Sequence, residues 1–432
     1  TQVELAASGG AAINRADIRF GSARAALPQQ GIQIRGNVDR INVDQWIDLF
    51  SEPGNTRKAQ SDGAMDQLNK LALHANTLVF GEREYNSFKI NALKKQEVWS
   101  ALVDSPWVLG TVSGSVQDFA NRPLKLELDY LDLDHSDLTR QRQESLQPEE
   151  FPAVTMQVGR LKFAGREFSK VNLSTRKLRN GLRIHALSFD ADGVNARING
   201  DWRSVGSNKK QTTQLTYNLQ LSDLGKASKF IGWESGLEKG DGSLIGSASW
   251  DGGPADFSYD NNLQGRVDVD LKKGVITGVD AGAGKILGLF NLDMLGSRLQ
   301  LDFSDLPEEG FGYKTWTAEV RVNGPKLTSR DMELDGSAGK LRLDGVADME
   351  SREMDVKLDV MPDLYAGVPI AGAIVAGPAA GAALYVLGKL PGVSQALEEG
   401  GKIEYQLTGP WEEPKVERLT VITEQEEDES LF

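Results

Sequence analysis

Apolar and polar residues alternate with a period of two along much of the 432-residue chain. Between residues 124 and 130, Leu124, Leu126, Leu128 and Tyr130 fall on one side and Lys125, Glu127 and Asp129 on the other. The same pattern sets Leu182, Ile184 and Ala186 against Arg183 and His185, and Val267, Val269 and Leu271 against Asp268, Asp270 and Lys272. It recurs where Met354, Val356, Leu358 and Val360 face away from Asp355, Lys357 and Asp359. Successive side chains of a strand point to opposite faces, so each run predicts a strand with one apolar and one wet face, the pattern of antiparallel sheet. Turn signals such as Asn180-Gly181, Asp192-Gly193, Asn199-Gly200 and Asn323-Gly324-Pro325 separate the runs. A strand–helix–strand rhythm is absent, which argues against a parallel α/β fold.

Helical spacing is confined to short pieces. Asp44 to Phe50 places Trp46, Leu49 and Phe50 on one face, and Asp223 to Trp233 and Ala281 to Leu295 are two more, the last with Ile286, Leu289 and Phe290 in register. The polar segments 56–66 and 140–150 read as loops, the second of them mobile. Residues Leu78 to Ile90 match Leu161 to Leu173 at a constant offset of 83, with Arg83, Glu84 and Tyr85 falling on Arg166, Glu167 and Phe168. Leu73 falls on Met156, Trp99 on Leu182 and Gly110 on Gly193. Repetition of a one-faced β unit predicts copies that stack along a line, near 73–116 and 156–202, and line up their apolar sides as a gutter. An apolar strip of that size requires an occupant.

The stretch from Leu364 to Gly388 contains no charged residue and is long enough for a membrane-spanning helix. It is rich in Ala and Gly, and Pro369 and Pro378 interrupt helical hydrogen bonding, so it reads as a broken helix or helical hairpin. Two roles remain open for it: a plug at one end of a β core, or an element that dips into a bilayer. The residues for membrane contact are Val368, Ile370, Ile374, Val375, Leu384, Tyr385 and Leu387.

A net charge of −14 argues against a nucleic-acid partner, because phosphate backbones are bound by clustered Lys and Arg. With no cysteine, the chain has no disulfides, thiolate metal sites or thiol catalysis. His74, His135 and His185 lack ligand or triad spacing, and His185 reads as a solvated residue on a strand's polar face. The segment from Asp280 to Lys285 fails as a phosphate loop, since Val279 stands where the first Gly belongs and Ile286 follows the lysine. Asp129, Asp132, Asp134 and Asp137 lack the Gly and final Glu of a calcium loop. No cofactor, metal site or catalytic residue is expected, and the chain reads as a non-enzyme. It starts at Thr1 without a leader or anchor, so we take it as the carboxy-terminal piece of a longer protein.

The block from Asp280 to Phe311 resembles the carboxy-terminal region of the large AsmA-like proteins of Gram-negative bacteria, in particular their YhdP type. The matching residues are Gly284, Gly288, Leu289, Leu301-Asp302-Phe303-Ser304-Asp305 and Gly310-Phe311. Val43-Asp44-Gln45-Trp46, Gly200-Asp201-Trp202, Trp250 with Gly253-Pro254, and Gly409-Pro410-Trp411 with Pro414 are further family-like marks. The chain departs from the family pattern at Gly296-Ser297-Arg298-Leu299, where Pro-Arg-Arg-Leu is frequent.

The resemblance implies a bridge-like lipid transfer protein of the repeating β-groove type, periplasmic and tied to the inner membrane by an amino-terminal helix outside this chain. It implies phospholipid as cargo and an outer-membrane contact at the carboxy-terminal end. Lining of the groove then falls to the one-sided residues Leu124, Leu126, Leu128, Leu182, Ile184, Val267, Val269, Leu271, Val356 and Leu358. The alternative is a structural or assembly factor of the envelope acting by protein contacts. A solenoid enzyme or adhesin would need converging polar side chains on the outer face, and the sequence offers none.

The expected architecture is mainly β: an elongated, twisted, incompletely closed antiparallel groove of repeated units, with a few short helices and roughly half its residues in strand. Its expected divisions are 1–72 (a groove segment with a short helix), 73–139 (a repeat unit), 140–155 (a linker) and 156–275 (repeat units). They continue with 276–362 (the family-like block), 363–392 (the apolar hairpin), 393–423 (final strands) and 424–432 (a disordered acidic tail).

Overall fold

The computed structural model describes residues 2–5, 13–42, 67–80, 83–115, 122–133, 147–149, 151–232, 236–277, 310–336, 339–362, 402–410 and 414–422. Strands make up 75% of what is described, in line with the mainly β architecture expected. The chain divides into two compact units, Thr1–Asp190 and Ala191–Phe432.

The first unit contains β1 (Gln2–Leu5), β2 (Ile13–Phe20), β3 (Gly31–Asn42), β4 (Leu68–Phe80), β5 (Arg83–Lys95) and β6 (Val98–Asp104). It continues through β7 (Val108–Gly114), β8 (Leu124–Asp132), β9 (Val154–Phe163), β10 (Arg166–Leu178) and β11 (Gly181–Ala191). Each strand pairs with the one before it in sequence. Most pairs are antiparallel, but β2–β3, β3–β4 and β8–β9 are parallel. Alternation of side chains carries no information about strand direction, so these three joins were invisible to it. Parallel neighbours need a connection that returns to the starting end, and the chain supplies one in each case, across 21–30, 43–67 and 133–153.

The offset of 83 carries β5 onto β10 residue for residue. It also carries an irregularity: Ser87 (φ 57°) and its counterpart Lys170 (φ 50°) both adopt left-handed backbone within a strand. Pairing skips them, since Thr77↔Asn86 is followed by Ala75↔Phe88, and Ser169↔Arg160 by Val171↔Val158. The interruption resets the alternation, so Tyr85 and Phe88, three residues apart, both enter one apolar cluster. Phe168 and Val171 do the same in the second copy.

The second unit contains β12 (Val194–Val205), β13 (Lys210–Leu221), the helix α1 (Leu224–Phe230), β14 (Leu237–Asp251) and β15 (Gln264–Thr277). Then follow β16 (Gly310–Asn323), β17 (Lys326–Gly336), β18 (Gly339–Asp348), β19 (Glu353–Pro362), β20 (Lys402–Pro410) and β21 (Lys415–Ile422). All neighbours are antiparallel. The ladder is open, because among the described residues β21 pairs with β20 alone.

Register gives this unit two unlike ends. Short turns and two single-turn 3₁₀ helices join strands at one end, including the turn at Gly324 (φ 58°). At the other end lie α1 and the connections across 278–309 and 363–401, whose flanking residues Thr277 and Gly310 are register partners. Asp223 caps α1 by accepting a hydrogen bond from the Lys226 amide at 2.9 Å. The helix sits close on Gly193, where an added Cβ would lie 2.5 Å from the Asp223 carbonyl oxygen. Leu224, Gly225 and Ser228 are its buried residues. The helix expected over Asp223 to Trp233 is therefore present, with shorter bounds.

Several expectations concern segments outside the described residues. These are the helices at Asp44 to Phe50 and Ala281 to Leu295, the family-like block up to residue 309, the hairpin from Leu364 to Gly388, and the tail 424–432. The membrane-contact residues Val368, Ile370, Ile374, Val375, Leu384, Tyr385 and Leu387 fall there too.

Tyr405 and Leu407 of β20 are each 1% exposed, in a cluster with Leu358 and Val360 of β19. Tyr405→Ala is expected to lower the free energy of unfolding by about 3–5 kcal/mol. Leu419→Ala, at a side chain 50% exposed, should change it by no more than about 0.5 kcal/mol. Urea denaturation followed by circular dichroism measures both, and equal losses would remove Tyr405 from the core.

Candidate apolar binding face

In the first unit, Leu128 is buried in a cluster with Leu78, Tyr85, Phe88, Val103, Val108, Val158 and Val171. Leu126 packs against it half-buried, and Leu124 is half-buried at the start of β8. Register explains the grouping: Leu126 and Leu128 oppose Val112 and Gly110 on one side, and Met156 and Val158 on the other. Leu182 is buried and Ile184 half-buried. The run does not continue to Ala186, which is exposed. A register shift in the β10–β11 pair places Ser174↔Ala186 beside Thr175↔Ile184, and the phase moves to Leu187 and Phe189, both packed on the cluster. His185 is exposed, as expected for a strand's polar face.

In the second unit, Leu271 and Leu358 are buried and Val269 packs against the same cluster, whereas Val267 and Val356 are half-buried nearer the short-turn end. Cross-strand rows connect them: Leu271↔Trp316↔Leu334↔Leu341↔Val360 runs through five strands. The residues expected on one apolar side therefore do share a face within each unit. Burial is deepest toward the end carrying α1, where Leu224 of the helix joins Leu221, Leu237 and Tyr313.

Simple alternation missed much of the aromatic content. Trp107 lies against Tyr85 with ring centroids 4.4 Å apart, and Phe168 meets Phe189 edge-on at 5.1 Å. In the second unit Tyr313 and Trp316 are T-shaped at 5.8 Å. Tyr313 covers two glycines, and a Cβ added at Gly274 would lie 2.1 Å from its hydroxyl. The alternating run from Ile403 to Leu407 was a signal for Tyr405 and Leu407. Nothing comparable flagged Trp107 or Tyr313. The hydroxyl of Tyr313 and the indole nitrogens of Trp107 and Trp316 are buried without a hydrogen-bond partner.

Charge is kept on the opposite face. Glu404 lies 2.8 Å from Lys402 and 3.0 Å from Lys357. Hydrogen bonds from Lys402 and then Lys357 hold its carboxyl below the usual range, and the bond to Glu404 raises both lysines. Arg266 and Arg321 flank Glu319 at 3.0 and 2.8 Å, and Arg342 meets Glu333 at 2.9 Å. On the apolar face burial pushes Tyr313 and Tyr405 up to about 12, so both stay neutral. No group of three or more His, Asp or Glu side chains is arranged to hold a metal ion among the described residues. Nor, among them, is any helix long and apolar enough to cross a membrane.

These features define a class: a β-ladder protein presenting one apolar and one ion-paired face in each unit. The family model described as YhdP protein matches residues 1–416, and the chain belongs to that family. It is 22% identical over 422 residues to the intermembrane phospholipid transporter YhdP of Escherichia coli strain K12, a match covering 91% of this chain. The chain spans about a third of the length of that curated relative, 31%. No solved structure matches it.

The two tyrosines set an alkaline limit. Their folded pKa lies near 12 against an ordinary 10.0, so the neutral form favours the folded state. Their contribution is complete below about pH 10 and disappears as the pH rises through 12. A stability profile across that window should fall, and the double substitution Tyr313→Phe with Tyr405→Phe should flatten the fall. An unchanged slope would mean that neither hydroxyl is held in an apolar setting.

Proposed function

We propose that this chain is a periplasmic segment of a bridge-like lipid transporter, carrying phospholipid acyl chains along its apolar face between the inner and outer membranes of a Gram-negative envelope. The observation that carries this reading is the sorting of side chains between an apolar and a wet face, with apolar rows that register carries across neighbouring strands within each unit. The name of the Escherichia coli relative, an intermembrane phospholipid transporter, supports the same reading. Each methylene taken out of water contributes about 0.8 kcal/mol, which retains acyl chains on the face. Similar rows at successive strands let them exchange positions at little net cost. Headgroups remain in water.

Leu124, Leu126, Leu128, Leu182 and Ile184 form the lipid path in the first unit. Val267, Val269, Leu271, Val356 and Leu358 form it in the second. Movement of this kind needs no covalent step, so the chain acts as a carrier and not as an enzyme. The relative's greater length leaves room for an inner-membrane anchor ahead of this segment. In this reading the stretch from Leu364 to Gly388 makes the outer-membrane contact through Val368, Ile370, Ile374, Val375, Leu384, Tyr385 and Leu387 as a shallow apolar element.

Photocrosslinking side chains at Leu126 and Val269 should capture phospholipid in cells, and the same probes at Lys125 and Asp268 should not. Equal capture at all four positions would rule out a one-sided path. Leu126→Asp or Val269→Asp should abolish transfer while the protein still accumulates. Deleting 364–388 should weaken liposome binding, and unchanged binding and transfer would reduce that stretch to a core plug.

A further inference from the structure

The chain carries an excess of 14 negative charges, yet one cavity of the first unit has no acidic residue in its lining. It measures about 700 Å³ and lies between the β2–β3 loop and strands β3, β4 and β5. Lys70, Lys94 and Lys95 line it together with the side-chain amides of Gln30, Gln33 and Asn69. Lys70, Leu93 and Lys95 alternate with Leu71, Ala92 and Lys94, which turn toward the apolar face, so the lining draws mainly on the wet side of the sheet and Lys94 reaches it from the other. Its lining includes none of the residues of the acyl-chain path.

The wall of the cavity is built in advance. Asp17, whose side chain is fully buried, accepts hydrogen bonds from the Ala26 amide at 2.6 Å and from Arg35 at 2.7 Å. Gln33 donates to the Ala26 carbonyl at 2.9 Å, and Asn69 donates to the Gln30 carbonyl at 2.8 Å. Arg15 reaches the Pro28 carbonyl at 3.4 Å. The loop is thereby pinned along its second half, and the amide groups of Gln33 and Asn69 each keep a second N–H. Lys94 is 11% exposed and has Glu97 at 3.8 Å. Lys70 and Lys95 have no ion-pair partner among the described residues.

We infer that this cavity binds a phosphate ester. Lysines act as point charges on phosphate oxygens, and amide N–H groups add directed donors. The volume falls within the range of about 300–1,000 Å³ for small-ligand sites, leaving space beyond the phosphate for a glycerol-sized group. Leu93 supplies an apolar wall for that group. Two sources offer this chemistry: the headgroup of a glycerophospholipid and a free phosphate ester.

The full chain is titrated calorimetrically with sn-glycerol 3-phosphate and with inorganic phosphate, and separately pelleted with vesicles of phosphatidylglycerol or of phosphatidylcholine. Wild-type protein should bind glycerol 3-phosphate. The pair Lys70→Glu with Lys95→Glu should lose at least about tenfold in affinity, equivalent to about 1.4 kcal/mol. Lys70→Gln with Lys95→Gln should lose less, and Lys209→Glu, in the second unit and not part of the lining, should lose nothing. Circular dichroism verifies the strand content of each variant, and the Gln pair carries the test if the Glu pair fails to fold. Pelleting with phosphatidylglycerol that falls with the same substitutions assigns the site to a lipid headgroup. Binding of glycerol 3-phosphate without any vesicle response assigns it to a free ester. Absence of binding by the wild type, or equal binding by the wild type and both double variants, overturns the inference. Lipid capture at Val269 reports on the apolar path independently of either result.

Discussion

Hydrogen bonding of each strand to its neighbour in sequence is the constraint from which the other properties of both units follow. A ladder built this way satisfies the backbone within a single layer, and alternation then sends every other side chain to one side. In the second unit no strand leaves the ladder to form a covering layer among the described residues. The cluster around Leu271, Leu358 and Tyr405 is therefore shielded mainly by its own large side chains and, at one end, by α1. Where a sandwich would place a second sheet, this fold presents an apolar surface.

Electrostatics follow the same division. Carboxylates meet guanidinium and ammonium groups in short rows across the wet side, as at Glu319 and Glu404. The exposed pairs among them, such as Arg40 with Glu84, contribute little stability individually. Their effect is to keep like charges from facing one another along adjacent strands, where direct opposition is unfavourable. In the second unit the apolar cluster carries hydroxyl and indole groups in place of charge. An uncharged face admits a hydrocarbon chain without stripping water from ions.

Much of this could be read directly from residue order. Runs such as Leu124 to Leu128 and Met354 to Val360 have the sidedness their sequences imply, but past Leu128 a register shift puts Leu131 in place of Tyr130 on the cluster. Failures occurred where the backbone departs from simple pleating. Ala186 sits after a register shift and turns outward. Tyr85 and Phe88 share a side only because Ser87 takes a left-handed conformation, which no local propensity of serine announces. Parallel joins depend on where a connection returns, and residue alternation is the same for either direction. The cavity beside the β2–β3 loop was equally hidden, because Gln30, Asn69 and Lys95 are brought together from distant parts of the sequence by strand pairing and the Asn69–Gln30 hydrogen bond.

The same neighbour-to-neighbour order bears on how the polypeptide acquires its shape. Contacts between adjacent strands joined by short turns have small sequence separation, and low contact order favours rapid folding. The second unit from β12 through β15 can thus zip one hairpin at a time as chain becomes available. At β3–β4 and β8–β9 the growing edge must wait for an entire crossover before the next strand can dock. An unpaired edge is exposed to competing partners during that wait. Those joins, together with the long connections across 278–309 and 363–401, are the kinetic weak points of an otherwise processive assembly, and the stages at which a chaperone has most to protect.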